Sequence, residues 1–413
     1  MVKYKPEIIG ITGSVGKTSA KEAIYVVLAS KYKARRNIKN YNNEIGLPLT
    51  VIGAESPGKN IFGWLYVFLK ALFLILFNDK NYPEILVLEM GVDKPGDMEY
   101  LLSIAKCDMG VVTGIGHSHL EFFGSIDKIK KEKSFLIKNL PSSGWAILNY
   151  DDENARGMAK NTKARVLTFG FNEGAQARVA NIVNLYNADN KTNIMGVNFK
   201  LIYNGSAAPF FLQNVLGRPA ILAALAGASV GIIRGMNLVE ISEALKLYKS
   251  PAGRMSLLRG IKNTLIIDDT YNASPQSAIA ALEELNSMDI AENNSRFAVL
   301  GDMLELGSFT EEGHKKVGRK AAEAGVDKLI AIGEKARHIA GGAREGGMSA
   351  DSIFHFYDSG AAGIFIQEKI KEGDIVLVKG SQGMRMEKIV KEIMADPLKA
   401  KELLVRQGKE WEQ

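Results

Sequence analysis

The stretch GITGSVGKTS, Gly10 to Ser19, constrains the fold more than any other part of the chain. It follows a short apolar run, EIIGI, that reads as a strand, and it leads into SAKEAIYVVLASKY, which reads as a helix. A strand, a turn of small residues and then Lys-Thr at a helix start aim backbone N–H groups and a helix N-terminus at one point, an arrangement that suits phosphate. Gly13, Ser14 and Gly16 supply the turn, Lys17 would meet the outer phosphates, Thr18 would meet a Mg²⁺ ion, and Ser19 continues into the helix. The strict spacing asks for glycine where Ile11 stands, with Gly10 and Gly13 out of register. The competing reading is an ordinary glycine-rich turn.

The rest of the chain fits an α/β frame. Short β-branched runs, among them EILVLEM, MGVVTGI, GWAILNY and ARVLTFGF, read as buried strands, and RPAILAALAGASVGIIRG and LVEISEALKLY read as helices. The segment from about Ala175 to Leu216 alternates and reads as antiparallel. After KSPAGRMSLL a fresh set of strands appears, NTLIIDD, RFAVLGDM, DKLIAIG, SIFHFY and DIVLVKG, separated by helical stretches. The expected boundary falls at Lys249, giving units 1–248 and 249–413.

Composition narrows the class. A chain of 413 residues, 46% hydrophobic and 24% charged, is long enough for two cored units. The single cysteine, Cys107, excludes an internal disulfide framework and fits a reducing compartment. No apolar signal run precedes the loop, so a cytoplasmic location is expected. The net charge of +6 favours acidic ligands or anionic lipid in a general way. Nucleic acid is not expected, because no basic run is interleaved with aromatics.

Two strand ends carry candidate chemistry. Glu89 closes EILVLE, so a carboxylate stands at the C-terminal end of a buried strand, where a Mg²⁺ beside phosphates needs an oxygen donor. Its bland alternative is a turn cap at MGVDKPGD. Lys379 and Ser381, in KGS, end the strand DIVLV and are expected to open a helix, which suits an anionic group of a substrate.

Taken in order, GITGSVGKTS, NYNNEIGLPLT, LVLEMG, HLEFFGS with KKEK, PAGRM, DDTYNASP, LGDMLELG and LVKGS resemble the ATP-dependent Mur ligase family. The likeness runs from Pro6 to about Ile393, and the later blocks point to the branch that adds D-alanyl-D-alanine. It implies a P-loop-containing central domain followed by a Rossmann-like C-terminal domain. It also implies peptidoglycan precursor synthesis from a muramyl-peptide carboxylate and D-Ala-D-Ala, through an acyl phosphate, with ATP and two Mg²⁺ ions.

The same resemblance assigns residues. His119 would be a ligand of the second Mg²⁺, while His117 departs from the family residue and receives no role. Lys133 would carry CO₂ as a carbamate, with Lys131 as the rival position and a solvated basic helix face as the reading of the run alone. Arg254 in PAGRM would reach the γ-phosphate. Asp269, Tyr271 and Asn272 would lie beside the nucleotide, and Asn42, Asn43, Asp302 and Glu305 would face substrate. A structural turn remains the alternative for the last two and for DDTYNASP.

Three departures qualify the likeness. Pro219, Ala220 and Ala223 stand where the D-alanyl-D-alanine branch has side chains that hold the nucleoside. Family members carry an N-terminal domain that grips uridine diphosphate, and here only nine residues precede Gly10, so a ligase without that handle is expected. Between about 55 and 82 lies an apolar insertion whose core, Ile61 to Phe77, is too short and too centrally charged at Lys70 to span a bilayer comfortably. It reads as a helix at the membrane interface, as a self-association surface or as plain core. An interfacial helix would place the protein at the inner face of the membrane and allow a lipid-linked acceptor. Two further alternatives stay open: a Mur-type ligase of different amino-acid specificity, and a nucleotide-binding pseudoenzyme or partner subunit.

Overall fold

The computed structural model describes residues 3–38, 41–118, 120–187, 190–408 and 411. Among these the strand runs assemble into two sheets. The first comprises β1 (Glu7–Thr12), β2 (Ala34–Arg36), β3 (Ile85–Glu89), β4 (Met109–Val112), β5 (Trp145–Asn149), β6 (Arg165–Gly170), β7 (Ala177–Asn187), β8 (Asn190–Tyr203) and β9 (Ser206–Gln213). Their order is β2-β3-β1-β4-β5-β6-β7-β8-β9. Pairing is parallel from β2 to β7 and antiparallel from β7 to β9, in keeping with the alternating pattern there.

Parallel strands are covered on both faces, which is why β3, ILVLE, is buried at every position. Neighbouring side chains serve opposite cores: Ile9 and Ile11 join one with the helix α1 (Lys17–Ala29), and Ile8 joins the other with Leu136 and Ile137. The helix Gly217–Ile233 is buried around most of its circumference, and its small residues let α1 approach closely. A Cβ added at Gly227 would stand 3.0 Å from the backbone of Ala23.

The second sheet comprises β10 (Ser256–Arg259), β11 (Leu265–Asp269), β12 (Arg296–Gly301), β13 (Lys328–Ile332), β14 (Ile353–Phe356) and β15 (Ile375–Lys379). Its order is β10-β11-β15-β12-β13-β14, parallel except for β10. Ile267 and Leu377 face one core, Ile266 and Val376 the other. The chain does not open a helix directly after Lys379. A 3₁₀ turn, Gln382–Met384, comes first and the α-helix starts at Glu387, because Arg385 takes a left-handed conformation (φ 52°) between them.

Two further helices bear on function. α2 (Gly46–Ile52) follows the turn containing Asn42 and Asn43. α3 (Ile61–Leu76) rests against α2, burying Val67 and Leu74 one heptad apart, while Lys70 donates to the Gly53 carbonyl at 2.5 Å. The rest of its apolar surface is exposed, Phe62 to 83% and Ile75 to 69%, so the insertion is not plain core. No helix among the described residues is long and apolar enough to cross a membrane.

Gly46 sets the position of the turn before α2, since a Cβ there would stand 2.2 Å from the Tyr41 Cα. Gly46→Ala is expected to lower stability to urea by about 1–3 kcal/mol, the usual cost of overpacking. A loss below about 0.5 kcal/mol would show instead that the turn gives way freely.

Candidate active site

The C-terminal ends of β1, β3 and β4 meet where the connections leave to either side of β1, the place where open α/β sheets form a crevice. The loop after β1 takes positive φ at Gly13 (149°) and Gly16 (84°). A side chain at Gly13 would put its Cβ 2.1 Å from the Thr113 hydroxyl, so only glycine lets the loop pass. Ser14 is pinned through its N–H to the Gly114 carbonyl (2.7 Å) and through its hydroxyl to the Gly116 carbonyl (3.1 Å). Lys17 folds back on the loop and donates to the Gly13 carbonyl at 2.8 Å. Burial lowers its pKa, with Arg254 acting the same way and Glu89 and Asp93 opposing.

Glu89 is the focus of this half. One carboxylate oxygen accepts from the Thr18 hydroxyl at 2.8 Å and the other from the Asn42 amide at 3.1 Å. Lys21 stands 3.7 Å away, itself buried. Burial alone would raise the Glu89 pKa, but Lys21, Lys17, Arg254 and the Thr18 bond together hold it below the usual carboxylate value. An ionised carboxylate beside a hydroxyl at a glycine cradle fits a Mg²⁺ ion that keeps waters and phosphate oxygens for its other positions. The described residues hold no cluster of three or more His, Cys, Asp or Glu.

Lys133 lies on the helix Ile126–Lys138, buried to 1% exposure, whereas Lys131 is exposed. Its ammonium has no hydrogen-bond or ion-pair partner among the described residues. Burial pushes its pKa well below the ordinary lysine value and Lys17 adds to this, against Asp93 and Glu132. Glu132 is already committed, accepting from the N–H groups of Gly96 (3.0 Å) and Met98 (2.8 Å). His119 lies outside the described residues. His117 stacks on Phe309 with ring centroids 4.8 Å apart, and nearby the Glu121 N–H donates to the Glu305 carbonyl at 3.1 Å, joining the two halves.

A cavity of about 840 Å³ runs between the halves, lined on one side by Ser14, Gly16, Lys17, Ser19, Asn43 and Glu89. Asn42 lines it too, although its amide is turned to Glu89. Asn43 accepts from the Gly46 N–H at 2.9 Å at the start of α2. Arg254, Asp269, Tyr271, Asn272 and Glu305 line the opposite wall. The Arg254 guanidinium lies 3.9 Å over the Tyr271 ring, and the Tyr271 N–H donates to the Gly253 carbonyl at 2.9 Å. Pro219 reaches the same cavity, while Ala220 and Ala223 are buried in helix packing.

Lys379 and Ser381 line the cavity as well, with polar groups that already have partners. The Lys379 ammonium pairs with Asp269 at 2.5 Å and donates to the Asn272 carbonyl at 3.0 Å. Ser381 likewise spends its hydroxyl on the Leu304 N–H (2.9 Å) and its N–H on the Asp302 carbonyl (3.0 Å). Asp302 and Glu305 part company, because Asp302 turns inward to accept from the Ala336 N–H at 2.7 Å whereas Glu305, at φ 62°, faces the cavity. Sequence reading passed over Lys21, Asp93 and Arg406. Lys21 is one helical turn after Lys17, a spacing that could have revealed it, and Asp93 lines the cavity. Arg406 bonds the Thr270 carbonyl, the Tyr271 carbonyl (3.1 Å) and the buried Glu387, far from any motif.

With this geometry in place, comparison with known proteins is informative. Residues 69–230 match the Mur ligase middle domain, and residues 253–382 match the Mur ligase, glutamate ligase domain. The chain belongs to the Mur ligase family. Curated UDP-N-acetylmuramoyl-tripeptide–D-alanyl-D-alanine ligases resemble this Mur ligase along most of its length. That of Bacillus subtilis is 29% identical, covering 95% of this chain and 76% of its own, and that of Escherichia coli is 28% identical, covering 93% and 76%. The crystal structure of the MurF ligase of Thermotoga maritima in complex with ADP superposes with a TM-score of 0.77 at 26% identity, over 95% of this chain and 80% of that one.

Removing one partner of the buried Lys379–Asp269 pair leaves a charge without its counterion. Lys379→Met should therefore cost about 3–5 kcal/mol in urea unfolding, with Lys379→Met/Asp269→Asn recovering part of the loss. A single-variant loss under 1 kcal/mol would contradict this reading of the pair.

Proposed function

We propose that this Mur ligase uses ATP to join D-alanyl-D-alanine to the carboxylate of a muramyl peptide, a step of peptidoglycan precursor synthesis. The carrying observation is that the glycine cradle with Lys17, Thr18 and Glu89 faces Arg254 and the Asp269–Asn272 turn across one cavity. Relatives bearing that activity in their names match nearly the whole chain. The domain boundary is taken at Lys249, between units 1–248 and 249–413.

In this reading Lys17 leaves the Gly13 carbonyl to meet the outer phosphates, and the loop N–H groups from Gly13 to Ser19 hold the rest. Thr18 and Glu89 would hold Mg²⁺, which would neutralise phosphate charge. The substrate carboxylate attacks the γ-phosphorus, giving an acyl phosphate and ADP. The D-Ala-D-Ala amine then attacks the acyl carbon, and phosphate leaves as the amide forms. No protein nucleophile is needed, so the side chains act by position and charge. Arg254 offers a planar fork to the transferring phosphoryl group, and its seat on Tyr271 limits its freedom before that group arrives. Asn42, Asn43, Glu305, Lys379 and Ser381 face the substrates, while Asp302 braces the wall behind them.

Lys133 is proposed as the carbamylated lysine. Burial lowers the pKa of its amine, and the nitrogen adds to CO₂ with loss of a proton. The resulting carboxylate-like group, with His119, would hold a second Mg²⁺. The exposed α3 is proposed to seat the protein at the inner face of the membrane, with self-association as the rival use of the same surface.

The purified protein should release ADP only when a muramyl peptide and D-Ala-D-Ala are both present, and Lys17→Ala should abolish release while keeping the fold. Equal release by Lys17→Ala and the parent would overturn the assignment. Lys133→Ala should lose ligation by about 10–100-fold, the scale of a lost metal-site group, and a short-chain carboxylate at high concentration should restore part of it. Full activity of Lys133→Ala would remove the carbamate from the account.

A further inference from the structure

Beside α3, at the free edge of the first sheet, lies a second cavity of about 280 Å³ lined by Tyr25, Lys33, Arg35, Arg36, Asn81 and Pro83. Three of its lining residues are cationic; Arg35 donates to the carbonyls of Thr50 (3.3 Å) and Val51 (2.9 Å), and Lys33 to that of Lys80 (3.3 Å), so Lys33 and Arg36 are the cations nearest the open edge. The carboxylates near the three are Glu22, 2.6 Å from the Arg36 Nε, Glu84, which accepts from the Lys33 N–H at 3.4 Å, and Asp79, whose charge acts on Arg35. Arg36 stacks on Tyr25 at 3.9 Å, and Arg35 lies 5.2 Å over the Tyr82 ring.

The cavity is tied to the end of α3. Tyr82 stacks on Tyr4 at 4.1 Å, and the Tyr4 hydroxyl donates to the carbonyls of Leu74 (3.1 Å) and Phe77 (2.8 Å). Lys3 donates to the carbonyls of Ile75 (3.0 Å) and Phe77 (2.7 Å). The last carbonyls of a helix have no partner within it and are satisfied by side chains, water or a tightened last turn. Here the Lys3 and Tyr4 side chains satisfy them.

Charge completes the pattern. Between Lys59 and Lys80 the exposed charged side chains are these two lysines, and α3 itself carries no acidic residue. At about 1.5 Å per residue the sixteen residues of α3 span about 24 Å, short of the bilayer core of about 30 Å, so the helix fits along the interface and not across it. A symmetric contact between two copies through this face would set lysine rims against each other.

We infer that α3 and the basic edge cavity form one docking surface for an anionic lipid bilayer, with α3 at the acyl boundary and the cavity taking a phosphate-bearing headgroup. This deepens, and rests on, the reading of α3 as a membrane contact. Each cation near an anionic surface adds about five-fold to partitioning, the equivalent of about 1 kcal/mol.

The test is co-sedimentation of the full chain with vesicles of phosphatidylcholine alone and of phosphatidylcholine with an equal part of phosphatidylglycerol, together with sedimentation velocity in the absence of lipid. The parent should pellet with the anionic vesicles and be released by salt. Lys33→Gln/Arg36→Gln should weaken that binding by roughly 30-fold. Phe62→Ser/Phe68→Ser, at two exposed positions, should abolish it while ADP release in solution stays at the parent level. Equal binding to both vesicles, unmoved by Lys33→Gln/Arg36→Gln, would overturn the headgroup site and leave α3 as the membrane contact. Absence of vesicle binding, with a lipid-independent dimer lost in Phe62→Ser/Phe68→Ser, would overturn both.

Discussion

The arrangement depends on keeping one carboxylate, Glu89, ionised in a buried place. An unpartnered buried charge would shift its pKa and neutralise. Glu89 avoids this because it closes a strand next to β1, where α1 brings Thr18 and Lys21 alongside and the turn before α2 brings Asn42. Two partners come from α1 and one from the turn before α2, so the start of α1 and that turn are held in register through one side chain. Removing a partner would leave charge uncompensated at the spot where phosphate and metal charge must be balanced.

The opposite wall follows a different logic. Lys379 and Asp269 neutralise each other, and their pairing fixes the strand ends of β11 and β15 beneath the Asn272 turn. Arg254, which lines the cavity, is held on Tyr271 and stands in electrostatic reach of Glu89 and Lys17. A cation that belongs to the second half but acts on groups of the first suits a transfer that needs both halves together. The contacts His117 to Phe309 and Glu121 to Glu305 give those halves a common seam.

Features that depend on neighbours in sequence were legible before the fold was known. The phosphate loop is a local spacing, and the strands of both sheets appear as short apolar runs because parallel strands are buried on two faces. The burial of Lys133 was legible in principle as well, since it stands four residues after Ile129 and three before Leu136 on the buried stripe of its helix. Pairings across the chain were not. Lys379 and Asp269 are 110 residues apart, and nothing near KGS announces that its lysine is already engaged. The split between Asp302 and Glu305 turns on a positive φ at Glu305, which the motif does not reveal. For α3 the sequence predicts a helix, but apolar composition alone does not tell a buried helix from an exposed one.

The central claim is that a substrate carboxylate, and not water, receives the phosphoryl group in this cavity. It is tested most directly by supplying the muramyl peptide with its acceptor carboxylate labelled with ¹⁸O and analysing the inorganic phosphate by mass spectrometry after ligation to D-Ala-D-Ala. Passage through an acyl phosphate predicts one carboxylate oxygen transferred to each phosphate released. Unlabelled phosphate, carrying solvent oxygen instead, would mean that the cavity hydrolyses ATP without activating the carboxylate, and would contradict the account.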